Sequence, residues 1–316
     1  MKRVVFTAIL ALTTVLLTAQ ESQTAYNFLR LPISAHAAAL GGENITLVED
    51  DASLIFHNPA LIQNVTDKTL NLNMMSYMKG TVTASASFVR AFGERGSWGV
   101  SGRYMDYGKM KETNEMGEEL GTFGARDIAI GGTFAYALNN YFSGGITGKF
   151  IASYIGNYNS LAAGVDLGLN YFHDETEWSV SAVVRNLGGQ LKAYDDEFEH
   201  MPVDLQLGVA KRLVGSPLRL SATLIRLNDW EYGIGKHFVL GADLLFNQFY
   251  LGVGYNAMRA SEMKIANEGD EKDMSAHGAG LSIGGGIQLE RIKLHVAYAK
   301  YHVSASSLLV NISYAL

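Results

Sequence analysis

From about residue 69 to the last residue, apolar and polar side chains alternate along the chain with a period of two. In the final segment, every second residue from Leu308 to Leu316 is apolar. Successive residues of a strand point to opposite faces, so each alternating segment predicts one strand with one apolar face. Fourteen such segments of roughly ten residues occur, the length that a tilted strand needs to cross a bilayer. The pattern predicts an all-β fold, a 14-stranded antiparallel transmembrane β-barrel over residues 67–316.

The second face of these segments is polar or very small. Around Val165, for example, Ala162, Gly164 and Asp166 alternate with aliphatic residues. A soluble sandwich would carry charged residues on its wet face, whereas small residues suit the crowded interior of a barrel. The charges on this phase have both signs, which predicts paired structural charges rather than an ion pathway. They are Arg103, Asp127, Lys149, Asp166, Arg185, Asp204, Arg212, Arg219 and Lys293.

The lengths of the connections between strands predict how the barrel is oriented in the membrane. The long connections, at about 109–125, 188–202, 229–236 and 259–276, all fall at the same end of the alternating strands. Outer-membrane barrels have short periplasmic turns and longer extracellular loops. We therefore expect a bacterial outer-membrane location with extracellular loops and with both termini in the periplasm.

Residues 1–19 have the features of a signal peptide. Lys2 and Arg3 precede the apolar run Val4–Leu17, and Ala19 precedes the expected cleavage site. This run is short for a membrane-spanning helix and has the length of a signal-peptide core.

Residues 20–66 lack the alternation and predict a separate N-terminal plug. Short helices are expected at Ser34–Leu40, before two glycines, and at Ala52–His57, where Asp51 can cap the first turn. A unit of this size does not fold comfortably alone. Fourteen strands enclose a lumen that side chains alone do not fill easily, so we expect the plug to lie inside it.

Composition excludes several classes of protein. The chain has no cysteine, which removes disulfide scaffolds, cysteine nucleophiles and cysteine-based zinc sites. Its net charge of −6, without a Lys/Arg cluster, argues against nucleic-acid binding. Charged residues make up 18% of the chain, below the roughly 25% usual in soluble domains.

The motifs that could carry catalysis are weak. The Gly-x-Ser-x-Gly match at 280–284 lies within a predicted strand, whereas a nucleophile elbow requires a strand, a turn and a helix. We expect no catalytic residue, no metal and no cofactor. The three glycines at 284–286 could kink a strand or could serve packing.

The densest acidic cluster lies in the predicted loop 188–202. It comprises Asp195, Asp196, Glu197 and Glu199, followed by His200. Three interpretations are open: a solvated loop, a divalent-ion contact with lipopolysaccharide, or a surface that binds a partner protein. An Asp/His pair that activates water is disfavoured. We take the four acids as candidate partner-binding residues.

Three sequence elements resemble a known family. The segment Asn58-Pro59-Ala60 resembles the plug element of FadL-type barrels, which combine an N-terminal plug with fourteen strands. The stretch Phe28–Gly42 and the element Arg185–Gly188 resemble PorV/PorQ-type barrels, the FadL-like proteins of the type IX secretion system of Bacteroidetes. His36 departs from this pattern, since family members often carry Arg there.

The resemblance implies a non-enzymatic membrane anchor. PorQ-like proteins hold a PorZ-like surface protein in an attachment complex with PorU-like and PorV-like proteins, which joins secreted cargo to lipopolysaccharide. Outer-membrane lipid is then a further expected partner. The alternative function is a FadL-like transporter of hydrophobic small molecules.

Overall fold

The computed structural model describes residues 24–114, 116–263, 265–267, 270–275 and 278–316. The predicted signal peptide, 1–19, and the first four residues of the predicted plug lie outside this part of the chain. Within the described ranges, no helix is both long and apolar enough to cross a membrane.

Fourteen antiparallel strands close into a barrel, and the first strand pairs with the last to complete it, which confirms the predicted fold class. The strands are β1 (Thr69–Met78), β2 (Thr81–Phe92), β3 (Gly96–Thr113), β4 (Glu119–Ala137), β5 (Phe142–Ile155), β6 (Tyr158–His173), β7 (Trp178–Lys192), β8 (Asp204–Arg212), β9 (Leu218–Leu224), β10 (Phe238–Leu245), β11 (Phe249–Asn256), β14 (Leu281–Gln288), β15 (Ile292–His302) and β16 (Ala305–Ala315). A separate two-stranded hairpin, β12 (Ile265–Asn267) and β13 (Asp270–Ser275), lies in the connection between β11 and β14.

The alternating pattern separates the two faces of the barrel wall. Outward residues such as Leu72, Val100 and Ile130 keep 50–58% of their surface exposed. Inward residues such as Asn71 and Asn311 are fully buried. A wall that is apolar outside and polar inside suits a barrel that meets lipid.

The two ends of the barrel differ in their connections. At the terminal end, where β1 begins and β16 finishes, all turns between strands are short. The longer connections gather at the opposite end, called the loop end, and include 193–203, 225–237 and 257–280.

The predicted loop 109–125 is wrong in its extent. β3 and β4 remain paired from Lys109↔Gly124 to Thr113↔Glu119, so only the residues around 114–118 form a turn. Both faces of this extension are largely exposed, and the sequence therefore needs no apolar stripe there. Alternation indicates a strand only where its two faces meet different surroundings, as they do in the part of the wall between lipid and lumen.

The described part of the predicted plug, residues 24–66, lies inside the barrel as four short helical turns. They are the 3₁₀-helix Asn27–Arg30, the α-helix Ala35–Ala39 and the 3₁₀-helices Ala52–Phe56 and Pro59–Asn64. The Ser34 and Asp51 side chains accept hydrogen bonds from the backbone N–H groups of Ala37 (3.3 Å) and Ser53 (2.9 Å). Both predicted helices are confirmed, the second as a 3₁₀-helix, and the turn at Pro59–Asn64 was not predicted.

The pairing of β14 with both neighbouring strands runs through the glycines at 284–286 without a register shift. A Cβ atom on Gly284 would lie 2.7 Å from the Cβ of Ala39. This glycine therefore lets the helix Ala35–Ala39 approach the wall, which confirms the packing interpretation.

Candidate functional site

The segment Asn58-Pro59-Ala60 is buried against the inner wall. The Asn58 side chain accepts a hydrogen bond from the Ala60 N–H (3.0 Å) and donates one to the Ile45 carbonyl (3.1 Å). A Cβ atom on Gly145 of β5 would overlap the Pro59 backbone. The motif is therefore fixed by its own hydrogen bonds and fits only because the wall carries glycine here.

Four charged or polar side chains join residues 24–66 to β9 and β10. His36 is fully buried and lies between two carboxylates, with Nδ1 2.8 Å from Glu49 and Nε2 2.8 Å from Asp243. Arg219 donates to Glu49 (2.5 Å) and also to Asp243. We call His36, Glu49, Arg219 and Asp243 the His36 latch.

The charges of the four side chains in the His36 latch compensate one another. Burial disfavours a charged imidazole, but the Glu49 and Asp243 carboxylates outweigh it and hold the pKa of His36 above its usual value. Burial likewise works against an ionised Glu49, yet His36 and Arg219 keep the pKa of this carboxyl below its usual range. The His36 ring stacks on Tyr250 with ring centroids 3.6 Å apart. The latch is therefore a compact, nearly neutral cluster of two cations and two carboxylates.

The latch also resembles a metal site in composition, since His36, Glu49 and Asp243 offer ligand atoms within 4.8 Å of one another. However, each imidazole nitrogen already faces a carboxylate, and Arg219 donates to both carboxylates. A metal ion would have to displace the guanidinium. The donor set therefore fits an ion-pair network better than a metal centre.

Most of the other inward charges are paired, as the mixed signs predicted. Lys149 lies 2.7 Å from Asp166, and Arg185 lies 2.5 Å from Glu43 and 3.0 Å from Asp204. Among the described residues, Arg103 forms no ion pair. Its guanidinium donates to the Leu31 carbonyl (3.0 Å) and lies over the ring of Phe28.

A small cavity of about 40 Å³ lies between residues 24–66 and the inner wall of β3–β7. Its apolar lining includes Leu31, Ile55 and Phe56. Its polar lining includes Arg103, Lys149, Asp166, Arg185 and His57. We call this space the luminal cavity.

A larger apolar groove of about 770 Å³ opens on the outer face of β2–β6. Small outward residues such as Gly132, Gly148 and Ala163 leave room for it, between larger residues such as Phe88 and Phe150. Ile130, Gly131 and Lys149 line both this outer groove and the luminal cavity. One layer of barrel wall therefore separates the two spaces.

The predicted partner-binding acids lie elsewhere. Asp195, Asp196, Glu197 and Glu199 are exposed in the connection 193–203 at the loop end. Ser282 of the Gly-x-Ser-x-Gly match lies within β14, and its hydroxyl accepts a hydrogen bond from Arg259 (2.7 Å). This serine therefore stands in a strand and not at a nucleophile elbow.

Sequence reasoning missed Glu43, Glu49 and Asp243 as partners of the inward arginines. Cross-strand register carried part of the signal, because Asp243 lies directly opposite Arg219 and Asp204 lies directly opposite Arg185. Opposite charges at facing positions of a hairpin interact favourably. Glu43 and Glu49 had no comparable signal, since they lie in the irregular segment.

Comparison with solved structures identifies proteins that share this barrel architecture. The chain is similar to a FadL homologue from Pseudomonas aeruginosa, with 11% identity, 90% of this chain and 99% of the other covered, and a TM-score of 0.56. It is also similar to the Pseudomonas putida toluene transporter TodX, with 13% identity, 90% and 96% coverage and a TM-score of 0.53. The chain has the FadL-like fold. A third similar structure, the monoaromatic hydrocarbon channel CymD, shows 14% identity over 90% of this chain and 97% of the other, with a TM-score of 0.56.

No protein-family model matches the sequence, and no curated protein matches it significantly. The FadL-like neighbours named above include a transporter and a channel, and none of the three is described as an enzyme.

Proposed function

We propose that this protein is a non-enzymatic outer-membrane channel for hydrophobic small molecules. The observation that carries the proposal is the apolar outer groove, which lies across one layer of FadL-like barrel wall from the luminal cavity. A ligand that partitions into lipid reaches such a groove from the bilayer. Glycine at positions 131 and 132 keeps the wall thin between the two spaces.

Filling the outer groove tests this proposal. We expect Ala163→Phe to reduce the uptake of toluene roughly tenfold, because losing about 1.4 kcal/mol of apolar contact corresponds to that factor. Uptake is measured with labelled toluene in cells that carry equal amounts of folded barrel.

Ala222→Phe is the matched control, since Ala222 also faces outward, on β9, and does not line the groove. The control should transport toluene like the wild type. Equal uptake by Ala163→Phe, Ala222→Phe and the wild type would rule out the groove as part of the route.

A second candidate function is the anchor of the type IX attachment complex, which the structural comparisons do not support. One observation favours a protein partner. Phe198, Trp230 and Ile234 lie in the connections at the loop end and expose 64–66% of their surface. Exposed aromatic and aliphatic residues on loops are typical of protein-binding surfaces. In the orientation we propose, the loop end is extracellular and both termini are periplasmic.

Charge reversal tests the anchor function. Changing Asp195, Asp196, Glu197 and Glu199 together to lysine should weaken the capture of a PorZ-like protein at least tenfold, because like charges oppose a partner steered by a basic patch. Capture is measured with the purified partner and the solubilised barrel, and Glu94→Lys and Glu290→Lys at the terminal end serve as controls. Capture that stays at the wild-type level in the quadruple variant would remove these acids from the interface.

A further inference from the structure

Three hydrogen-bond donors around the luminal cavity have no partner among the described residues. They are the Nε atoms of Arg103 and Arg185 and the Nδ1 atom of His57. Arg103, Arg185 and His57 expose only 5%, 5% and 2% of their surface. A buried donor without an acceptor costs about 1–3 kcal/mol, so three around one cavity require an explanation.

The tautomer of His57 makes this ring nitrogen a donor. His57 Nε2 accepts a hydrogen bond from the backbone N–H of Ser34 (3.3 Å). Burial and the positive charges of Arg185 and Arg103 lower the pKa of His57 to about 3, so the ring is neutral near pH 7. A neutral imidazole that accepts at Nε2 carries its proton at Nδ1.

Among the charged residues that line the cavity, one cation has no ion-pair partner. Lys149 is paired with Asp166, and Arg185 is paired with carboxylates outside the cavity lining. Arg103 has no carboxylate within ion-pair distance among the described residues. The Asp127 carboxylate of β4 acts on it from further away and accepts hydrogen bonds from Tyr107 and Ser153. The missing group must therefore accept hydrogen bonds, and a negative charge on it would balance Arg103.

We infer that the luminal cavity binds a compact monovalent anion, a halide or a formate-sized carboxylate, which bridges His57 to Arg103 and Arg185. The cavity volume of about 40 Å³ sets the size of this ligand. It corresponds to about three water molecules. Such an anion would join the segment 24–66 to β3 and β7, and the inference does not rest on the proposed transport function.

Thermal unfolding of the solubilised full chain tests the inference. Sodium gluconate is replaced by chloride, bromide or formate at constant ionic strength. We expect a saturable rise in the melting temperature of the wild type, because a ligand that binds only the folded state stabilises it. In Arg103→Gln the apparent affinity should fall at least tenfold, since one charge-assisted partner is lost. Arg212→Gln, at the exposed terminal rim, should behave like the wild type.

A bromide-soaked crystal of the wild type provides a second test that needs no variant. An anomalous scattering peak between His57 and Arg103 supports the site. Absence of that peak, together with no saturable rise in melting temperature, means that water fills the cavity and overturns the inference. Decanoate that binds much more tightly than formate would also overturn it, because a compact site gains nothing from an acyl tail. Toluene uptake is measured separately, so the two proposals can fail independently.

Discussion

Replacing Arg219 by methionine is expected to lower the free energy of unfolding by about 3–5 kcal/mol, the usual cost of removing one partner from a buried charge network. The substitution leaves Glu49 and Asp243 facing each other, with His36 as their only shared cation. Unfolding is followed in detergent by denaturant titration with tryptophan fluorescence.

The pH dependence of this loss in unfolding free energy shows whether charge or packing is responsible for it. The pKa of His36 is raised in the folded state, so its proton contributes stability that is fully present below about pH 6.5 and is lost as the pH rises through the folded pKa. The deficit of Arg219→Met should therefore be smaller at pH 5 than at pH 9. A deficit that does not change with pH would mean that packing, and not charge, holds the latch. Arg212→Met at the rim, 3.6 Å from Glu177, is the control and should cost no more than about 1 kcal/mol.

Replacing Gly145 by valine is expected to unseat residues 58–60 from the wall. A side chain there would overlap the backbone of Pro59 and Ala60, and backbone cannot move aside as a flexible side chain can. Overpacking of this kind costs about 1–3 kcal/mol or more. We expect rapid proteolysis between residues 52 and 64 and a higher conductance in planar bilayers, because the segment that fills the lumen is displaced.

Gly144→Val is the matched control on the same strand, since a Cβ atom at Gly144 would meet only Leu138 Cδ1 at 3.7 Å and the Gly168 carbonyl at 4.0 Å, and Gly144 does not line the outer groove. This control should conduct and resist protease as the wild type does. If Gly145→Val does the same, the close approach of Pro59 to β5 does not hold the segment in place.

Much of the barrel could be predicted from the sequence because lipid imposes a rule on every wall residue. Outward positions must be apolar, whereas most inward positions are polar or small, so the period of two marks each of the fourteen barrel strands. The rule fails where lipid ends. The paired extension around Lys109 and Gly124 is exposed on both faces, and it was therefore predicted as a loop.

The interior site was less predictable, because its contacts join distant parts of the chain. His36 and Asp243 are separated by 207 positions, and no local pattern links them. Asp243 and Arg219 could have been paired from hairpin register, but Glu49 lies in a segment without periodicity. The mixed signs predict paired inward charges, yet among the described residues Arg103 and Asp127 form no ion pair. Arg103 donates to the Leu31 carbonyl and Asp127 accepts from the Tyr107 hydroxyl instead.

The distant partners of the latch also constrain the order of assembly. The segment 24–66 is synthesised before the wall, yet Asp50 meets Lys293 on β15, 243 positions later, and His36 meets Asp243 on β10, 207 positions later. These contacts therefore cannot form before β10 and β15 have been synthesised, when most of the wall is already in place. Contacts between residues so far apart in sequence are slow to form. Until then, the carboxylates of this segment have no partner from the wall and must be solvated by water, so the charges that hold the segment in the finished barrel keep it soluble before the barrel exists.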